Sequence, residues 1–164
     1  MNRMEFRIAA ASFLPAVATM LFVQACGGGG NAVAQTAADP IEGVWEAVVT
    51  QHDCTTNATI ATFKGAQVLH RGGTLDDTGA GAPSSRGPGI GLWSKNADGT
   101  YAVKFRYYRF NADGTLAGSN VVTSTRTLSA DANGYTGVTR NEVRDVTGAT
   151  LTTVCVNDVA TRFN

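Results

Sequence analysis

Few side chains in this 164-residue sequence could carry out chemistry: it contains three cysteines and two histidines. His52 and His70 are too far apart for the short-spaced histidine pairs that bind catalytic metals, and no Gly-x-Ser-x-Gly nucleophile motif is present. Cys54 follows His52 closely, but a cysteine is a nucleophile only as a free thiolate. The sequence therefore predicts a protein that is not an enzyme and that needs no metal or other cofactor.

Cys26, the first of the three cysteines along the chain, ends an N-terminal segment that is more apolar than the rest of the chain. Two arginines near the start precede an apolar run, residues 8–23, which is shorter than the roughly 20 residues of a membrane-spanning helix. A basic start followed by a short apolar run is typical of a signal peptide. The run leads into Val-Gln-Ala-Cys at 23–26, with an aliphatic residue and a small residue at fixed positions before the cysteine.

This tetrapeptide resembles the lipobox of bacterial lipoproteins. The resemblance implies that residues 1–25 are a signal peptide, that diacylglycerol is attached to Cys26, and that the chain is cleaved in front of it. Gly27 occupies the position where aspartate favours retention in the inner membrane, so the resemblance implies a lipid-anchored protein of the outer membrane in a bacterial cell envelope. The alternative is an ordinary signal peptide or an uncleaved anchor, in which Cys26 is incidental.

Residues 26–39 contain four consecutive glycines and several small residues, and we predict that they form a flexible tether. A lipidated Cys26 leaves Cys54 and Cys155. An even number of cysteines in an exported protein predicts a disulfide, which here would close a loop of about 100 residues. The alternative is a pair of free buried thiols.

Residues 40–164 have the composition of one all-β domain. Glycine is frequent, at 19 residues in the chain, and β-branched and aromatic residues recur between turn sequences. The pentapeptide Asn-Ala-Asp-Gly-Thr occurs at 96–100 and again at 111–115, and it supplies the glycine that hairpin turns need. We predict an antiparallel up-and-down meander of about eight strands closed into a barrel, because closure removes the sheet edges. A β-sandwich is the alternative.

The first predicted strand begins with Gly43 and Trp45, separated by one residue. This is similar to the Gly-x-Trp motif of lipocalins and related calycin barrels, and it implies a lipocalin-like barrel whose closed end is crossed by Trp45 and covered by a cation from the last strand, here Arg162. When the first and last strands pair antiparallel, the residue numbers of paired residues have a constant sum. Trp45 with Arg162 and Cys54 with Cys155 have nearly equal sums, so one register accommodates both pairs.

Aromatic side chains alternate along the predicted strand 101–110, which places one set of them inside the barrel, and the long loop 76–90 carries an arginine. The candidate ligand-binding residues are Tyr101, Phe105, Tyr107, Arg109 and Arg86. We interpret the domain as a binding module that holds a small apolar or amphipathic molecule in the barrel. The formal net charge of zero leaves no basic excess for a nucleic-acid partner.

The aromatic residues could instead be simple core, and Arg86 a solvated loop charge. The protein would then be a structural or interaction lipoprotein with a filled barrel, acting through its outer face or its loops. The size of the interior separates the two interpretations, because sites for small molecules occupy roughly 300–1,000 Å³.

Overall fold

The computed structural model describes residues 37–163. The predicted signal peptide over 1–25, the predicted lipidation site Cys26 and the predicted tether up to residue 36 lie outside the described residues. Between residues 37 and 163, no helix is long and apolar enough to cross a membrane.

Eight antiparallel strands form a closed barrel in which each strand pairs with its neighbours in sequence and the first pairs with the last. The strands are β1 Gly43–His52, β2 Thr59–Leu69, β3 Thr74–Gly79, β4 Gly89–Lys95, β5 Tyr101–Phe110, β6 Leu116–Leu128, β7 Gly134–Arg144 and β8 Thr150–Arg162. The predicted eight-stranded up-and-down barrel is confirmed, and the β-sandwich alternative is wrong.

The barrel forms because the strands alternate between apolar and polar side chains. In β5, Tyr101, Val103 and Phe105 are buried, whereas Lys104 and Arg106, on either side of Phe105, are exposed. Successive side chains of a strand point to opposite faces of a sheet, so this alternation sends one set into the core and leaves the other in water. The same period of two is seen in the first half of β1, in β3 and in β7, whereas the five consecutive residues 118–122 of β6 are all buried.

The repeated pentapeptide forms the same turn twice, once between β4 and β5 and once between β5 and β6. Asp98 accepts hydrogen bonds from the hydroxyl of Thr100 at 2.6 Å and from its backbone N–H at 3.0 Å. Asp113 accepts the same two bonds from Thr115 at 2.6 and 2.9 Å. The threonine hydrogen bonds lower the pKa of both aspartates, so the carboxylates stay ionised and hold the turns.

One end of the barrel, the closed end, is plugged by Trp45, which is fully buried and pairs in register with Arg162. The guanidinium carbon of Arg162 lies 4.3 Å from the centre of the Trp45 ring. Arg162 also donates hydrogen bonds to the carbonyls of Pro40 and Glu42, at 2.6 and 2.9 Å. A Cβ on Gly43, whose φ is +129°, would lie 2.6 Å from Arg162 Nη1. The Gly-x-Trp pair therefore leaves room for the arginine that covers the tryptophan.

Asp39, the last residue of the predicted tether, is held against the closed end. Its Oδ1 accepts a 2.6 Å hydrogen bond from the hydroxyl of Tyr101, and its Oδ2 lies 3.5 Å from the ammonium of Lys95. The chain thus enters the barrel at the end that Trp45 plugs.

The opposite end, the mouth, carries a disulfide between Cys54 and Cys155, whose Cα atoms are 5.0 Å apart. Cys54 follows the last residue of β1, His52, which pairs with Cys155 in β8. The predicted disulfide is therefore present, and it joins the first strand to the last at the rim of the mouth.

Candidate ligand-binding site

Two adjoining spaces lie between the mouth and the plug. The inner cavity has a volume of about 60 Å³ and lies within the barrel. The outer cup, of about 540 Å³, opens to solvent at the mouth. Residues that border both spaces mark the boundary between them: Gln51, Phe63, Gly79, Arg86 and Tyr107.

Arg86 reaches this boundary because the loop between β3 and β4 folds over the mouth and pairs with the end of β5. The N–H of Gly87 donates to the carbonyl of Tyr108 at 2.9 Å, and the N–H of Phe110 donates to the carbonyl of Ser85 at 3.0 Å. A bridge between the backbones of Arg86 and Arg109 completes the contact. The loop backbone is thereby fixed next to the barrel, with Arg86 turned inward.

The Arg86 side chain is partly buried against two partners. It forms an ion pair with Asp77, and its guanidinium carbon lies 3.8 Å from the centre of the Tyr107 ring. Only 16% of its side chain is exposed, so Arg86 is not a solvated loop charge. The Arg86 guanidinium, stacked on Tyr107 and paired with Asp77, therefore separates the inner cavity from the outer cup.

The predicted ligand-binding residues divide between two places. Phe105 lines the inner cavity and Arg109 lines the outer cup, while Tyr107 and Arg86 border both. Tyr101 borders neither space, because it lies at the closed end with its hydroxyl bound to Asp39. Four of the predicted residues therefore meet at the mouth half of the barrel, and Tyr101 supports the plug.

The interior also contains a group of polar residues that the sequence interpretation did not include. The buried members that line the inner cavity are Gln67, Asp77, Arg126, Thr139, Asn141 and Asp158. The alternation of side chains along each strand could have placed these polar residues inside the barrel. For example, Asp77 lies two positions after the core residue Leu75, and Asp158 lies four positions before Arg162 on β8, so each shares the inward face of its strand.

A chain of hydrogen bonds crosses the inner cavity. The hydroxyl of Tyr135 donates to Gln67 Oε1 at 3.3 Å, and Gln67 Nε2 donates to Asp77 Oδ1 at 2.8 Å. Asp77 continues the chain to Arg86. Burial raises the pKa of Tyr135 and of Tyr107, so both hydroxyls remain protonated near neutral pH and Tyr135 keeps its bond to Gln67.

Together these groups could bind and orient a polar molecule. Within the described part of the chain, no group of three or more His, Cys, Asp or Glu residues is placed to hold a metal ion. Comparison of the sequence with protein-family models and with curated proteins found no match to either.

Proposed function

We propose that the protein is a membrane-tethered lipoprotein of the bacterial envelope whose barrel holds a small amphipathic molecule at its mouth. The observation that carries this proposal is the outer cup of about 540 Å³, since sites for small molecules measure roughly 300–1,000 Å³. An eight-stranded barrel is just wide enough to hold one small ligand, and the closed barrel is compatible with that use.

The lining of the cup suits a molecule with both an apolar and a polar part. Phe63, Tyr107 and Phe110 offer aromatic surface, and both charged residues that line the cup, Arg86 and Arg109, are arginines. Aromatic walls with a few converging polar groups are the usual composition of a small-molecule site. The guanidinium groups would orient the polar part, while the aromatic rings would bury the apolar part.

The position of the mouth also agrees with attachment to a membrane through the N-terminal region. Asp39 and Pro40 contact the closed end, whereas Cys54 lies at the rim of the mouth. The described part of the chain therefore begins beside the closed end and not beside the cup.

The second candidate is a structural or interaction protein, and the small inner cavity favours it. At about 60 Å³ the inner cavity is far below the size of a ligand pocket, so most of the barrel interior is filled by side chains. The two candidates differ in whether the cup is occupied in the cell.

Replacing Phe110 with alanine is expected to weaken binding of an amphipathic probe to the cup about tenfold. Full burial of an aromatic side chain contributes about 1.5–3 kcal/mol, Phe110 is already partly buried without ligand, and tenfold corresponds to about 1.4 kcal/mol. The measurement is a fluorescence titration with 1-anilinonaphthalene-8-sulfonate, with circular dichroism to show that the barrel is intact. Tyr108→Ala is the matched control, since Tyr108 is 50% exposed and does not line the cup. Wild-type protein that shows no saturable binding would favour the filled-barrel candidate.

Replacing Cys26 with serine is expected to release the protein from membranes or to leave an unprocessed precursor, because serine cannot form the thioether to diacylglycerol. Fractionation of cells followed by intact-mass measurement tests this. Gly27→Asp serves as the control: the variant should keep its lipid but remain in the inner membrane. A mature wild-type protein that begins elsewhere and carries no lipid would contradict the proposed anchor.

A further inference from the structure

The inner cavity holds hydrogen-bonding groups that the barrel itself does not satisfy. Arg126 is 2% exposed and lines the cavity, yet its Nε and Nη1 have no hydrogen-bond partner among the described residues. A buried polar group without a partner costs about 1–3 kcal/mol, and a charged one costs more. Native interiors rarely leave such groups unmatched unless a further molecule supplies the partner.

Asp158 faces Arg126 but does not satisfy it. The closest approach is 3.7 Å, between Arg126 Nε and Asp158 Oδ2, which is too long for a hydrogen bond. Asp158 Oδ1 accepts a 2.9 Å bond from Thr139, whereas Oδ2 is also without a hydrogen-bond partner among residues 37–163. The pair therefore presents unused donors on one side and an unused acceptor on the other.

The position of Arg126 is determined by its other contacts. Its guanidinium carbon lies 4.5 Å from the centre of the Tyr135 ring, and that ring in turn packs edge-on against Trp45 at 5.1 Å. The guanidinium is therefore supported by Tyr135, which is itself packed against the Trp45 side chain that plugs the closed end. It cannot swing out of the cavity to find water without leaving the aromatic ring.

The charges that line the inner cavity are balanced. Arg86 is opposite Asp77, and Arg126 is opposite Asp158. An added anion or cation would leave one charge unbalanced in an enclosed site, and burying an unpaired charge is far more costly than burying a neutral polar group. The cavity therefore favours a neutral occupant that can both accept and donate hydrogen bonds.

The volume limits the occupant to a few atoms. A site needs roughly 10–15 Å³ to hold one water molecule, so the cavity of about 60 Å³ can take a short polar group but not a whole amphipathic molecule. The rest of such a molecule would have to occupy the outer cup, on the other side of Arg86. Gln51, Phe63 and Gly79 also border both spaces, so a ligand that occupies both would pass beside Arg86 while its ion pair with Asp77 stays in place.

We infer that the inner cavity is a subsite for the neutral, hydrogen-bonding head of the ligand, a carboxamide or a chemically similar group, with its acceptor toward Arg126 and its donor toward Asp158. The inference rests on the proposed function, because the remainder of the ligand lies in the outer cup. Arg126 and Asp158 thereby select the ligand class, whereas Arg86 separates the subsite from the cup.

The test uses acetamide as the head group alone and acetate as its anionic counterpart. In ¹⁵N nuclear magnetic resonance spectra of the full domain, acetamide is expected to shift the Arg126 Nε–H signal and the backbone signals of Thr139 and Asn141 in a saturable manner. A fragment of so few atoms should saturate in the millimolar range. Acetate at the same concentrations should leave these signals in place, although it can move those of Arg109 in the cup.

The double variant Arg126→Met with Asp158→Asn removes one charge of each sign from the cavity and should abolish the acetamide shifts of Thr139 and Asn141. The matched control, Lys104→Met with Glu142→Gln, removes one charge of each sign from the outer face and should keep them. If the double variant does not fold, the Arg126 signal of the wild type still decides the outcome.

If acetamide shifts no resonance of a residue that lines the inner cavity, the cavity holds water only. That result would overturn the subsite. Saturable binding of 1-anilinonaphthalene-8-sulfonate in the same sample would then leave the proposed function standing. Loss of both kinds of binding would overturn the subsite and the cup together.

Discussion

Replacing Trp45 with alanine is expected to lower the free energy of unfolding by about 3–5 kcal/mol, the usual cost of removing a large aromatic side chain from a core. Trp45 is fully buried, its Nε1 donates a 2.9 Å hydrogen bond to the carbonyl of Ile41, and its ring supports both Tyr135 and Arg162. Alanine would leave a void at the plug and remove the ring that Arg162 covers and that Tyr135 packs against. Among the described residues, Trp45 is the largest of the fully buried side chains.

Urea unfolding followed by circular dichroism measures the loss for Trp45→Ala. The second tryptophan supplies the control, since Trp93 is only partly buried and its Nε1 bond to the carbonyl of His70 is exposed. Trp93→Ala should cost clearly less than Trp45→Ala. Equal costs for the two variants would show that the plug is not the main stabilising contact of the closed end.

Removing the Cys54–Cys155 disulfide is expected to lower the free energy of unfolding by about 2–5 kcal/mol. The bond spans a sequence separation of 101 residues, nearly the whole barrel domain. Loop-closure entropy assigns about 4–5 kcal/mol to a loop of this length, because the bond restricts the unfolded chain. It also ties β1 to β8 at the rim, where the pairing between the first and last strands ends.

The double variant Cys54→Ala with Cys155→Ala tests this, again by urea unfolding. Reduced wild-type protein should match the double variant, and the double variant itself should not respond to reductant. Wild-type protein that keeps its full stability after complete reduction, verified by counting free thiols, would contradict the predicted contribution of the bond.

The interior of the barrel illustrates the limit of strand parity. Parity along β5 correctly placed Phe105 and Tyr107 on the inner face, but it placed Tyr101 there as well without indicating its depth. Depth depends on how far each strand extends along the barrel axis, and that follows from the register of all the strands. Tyr101 therefore belongs to the plug, whereas Tyr107 belongs to the mouth.

The orientation of the Arg86 side chain could not be predicted from any periodic pattern in the sequence. It belongs to a loop, so no alternation indicates which way its side chain points. Its inward position depends on backbone bonds to β5 and on Asp77 in β3, and these partners come together only when the barrel closes.

The amino-acid sequence by itself determined the antiparallel meander of about eight strands and its repeated turns, because both follow from local conformational preferences that residue types and spacings reveal. It left a β-sandwich open beside the closed barrel and free thiols open beside the disulfide, and the pairing of Trp45 with Arg162 came from the resemblance to lipocalins. The structure decided all three. The tertiary structure alone decided the size of the inner cavity and the unmatched state of Arg126 and Asp158. A cavity is the small difference between the space that eight strands enclose and the volume of the side chains that fill it, so it depends on every strand at once.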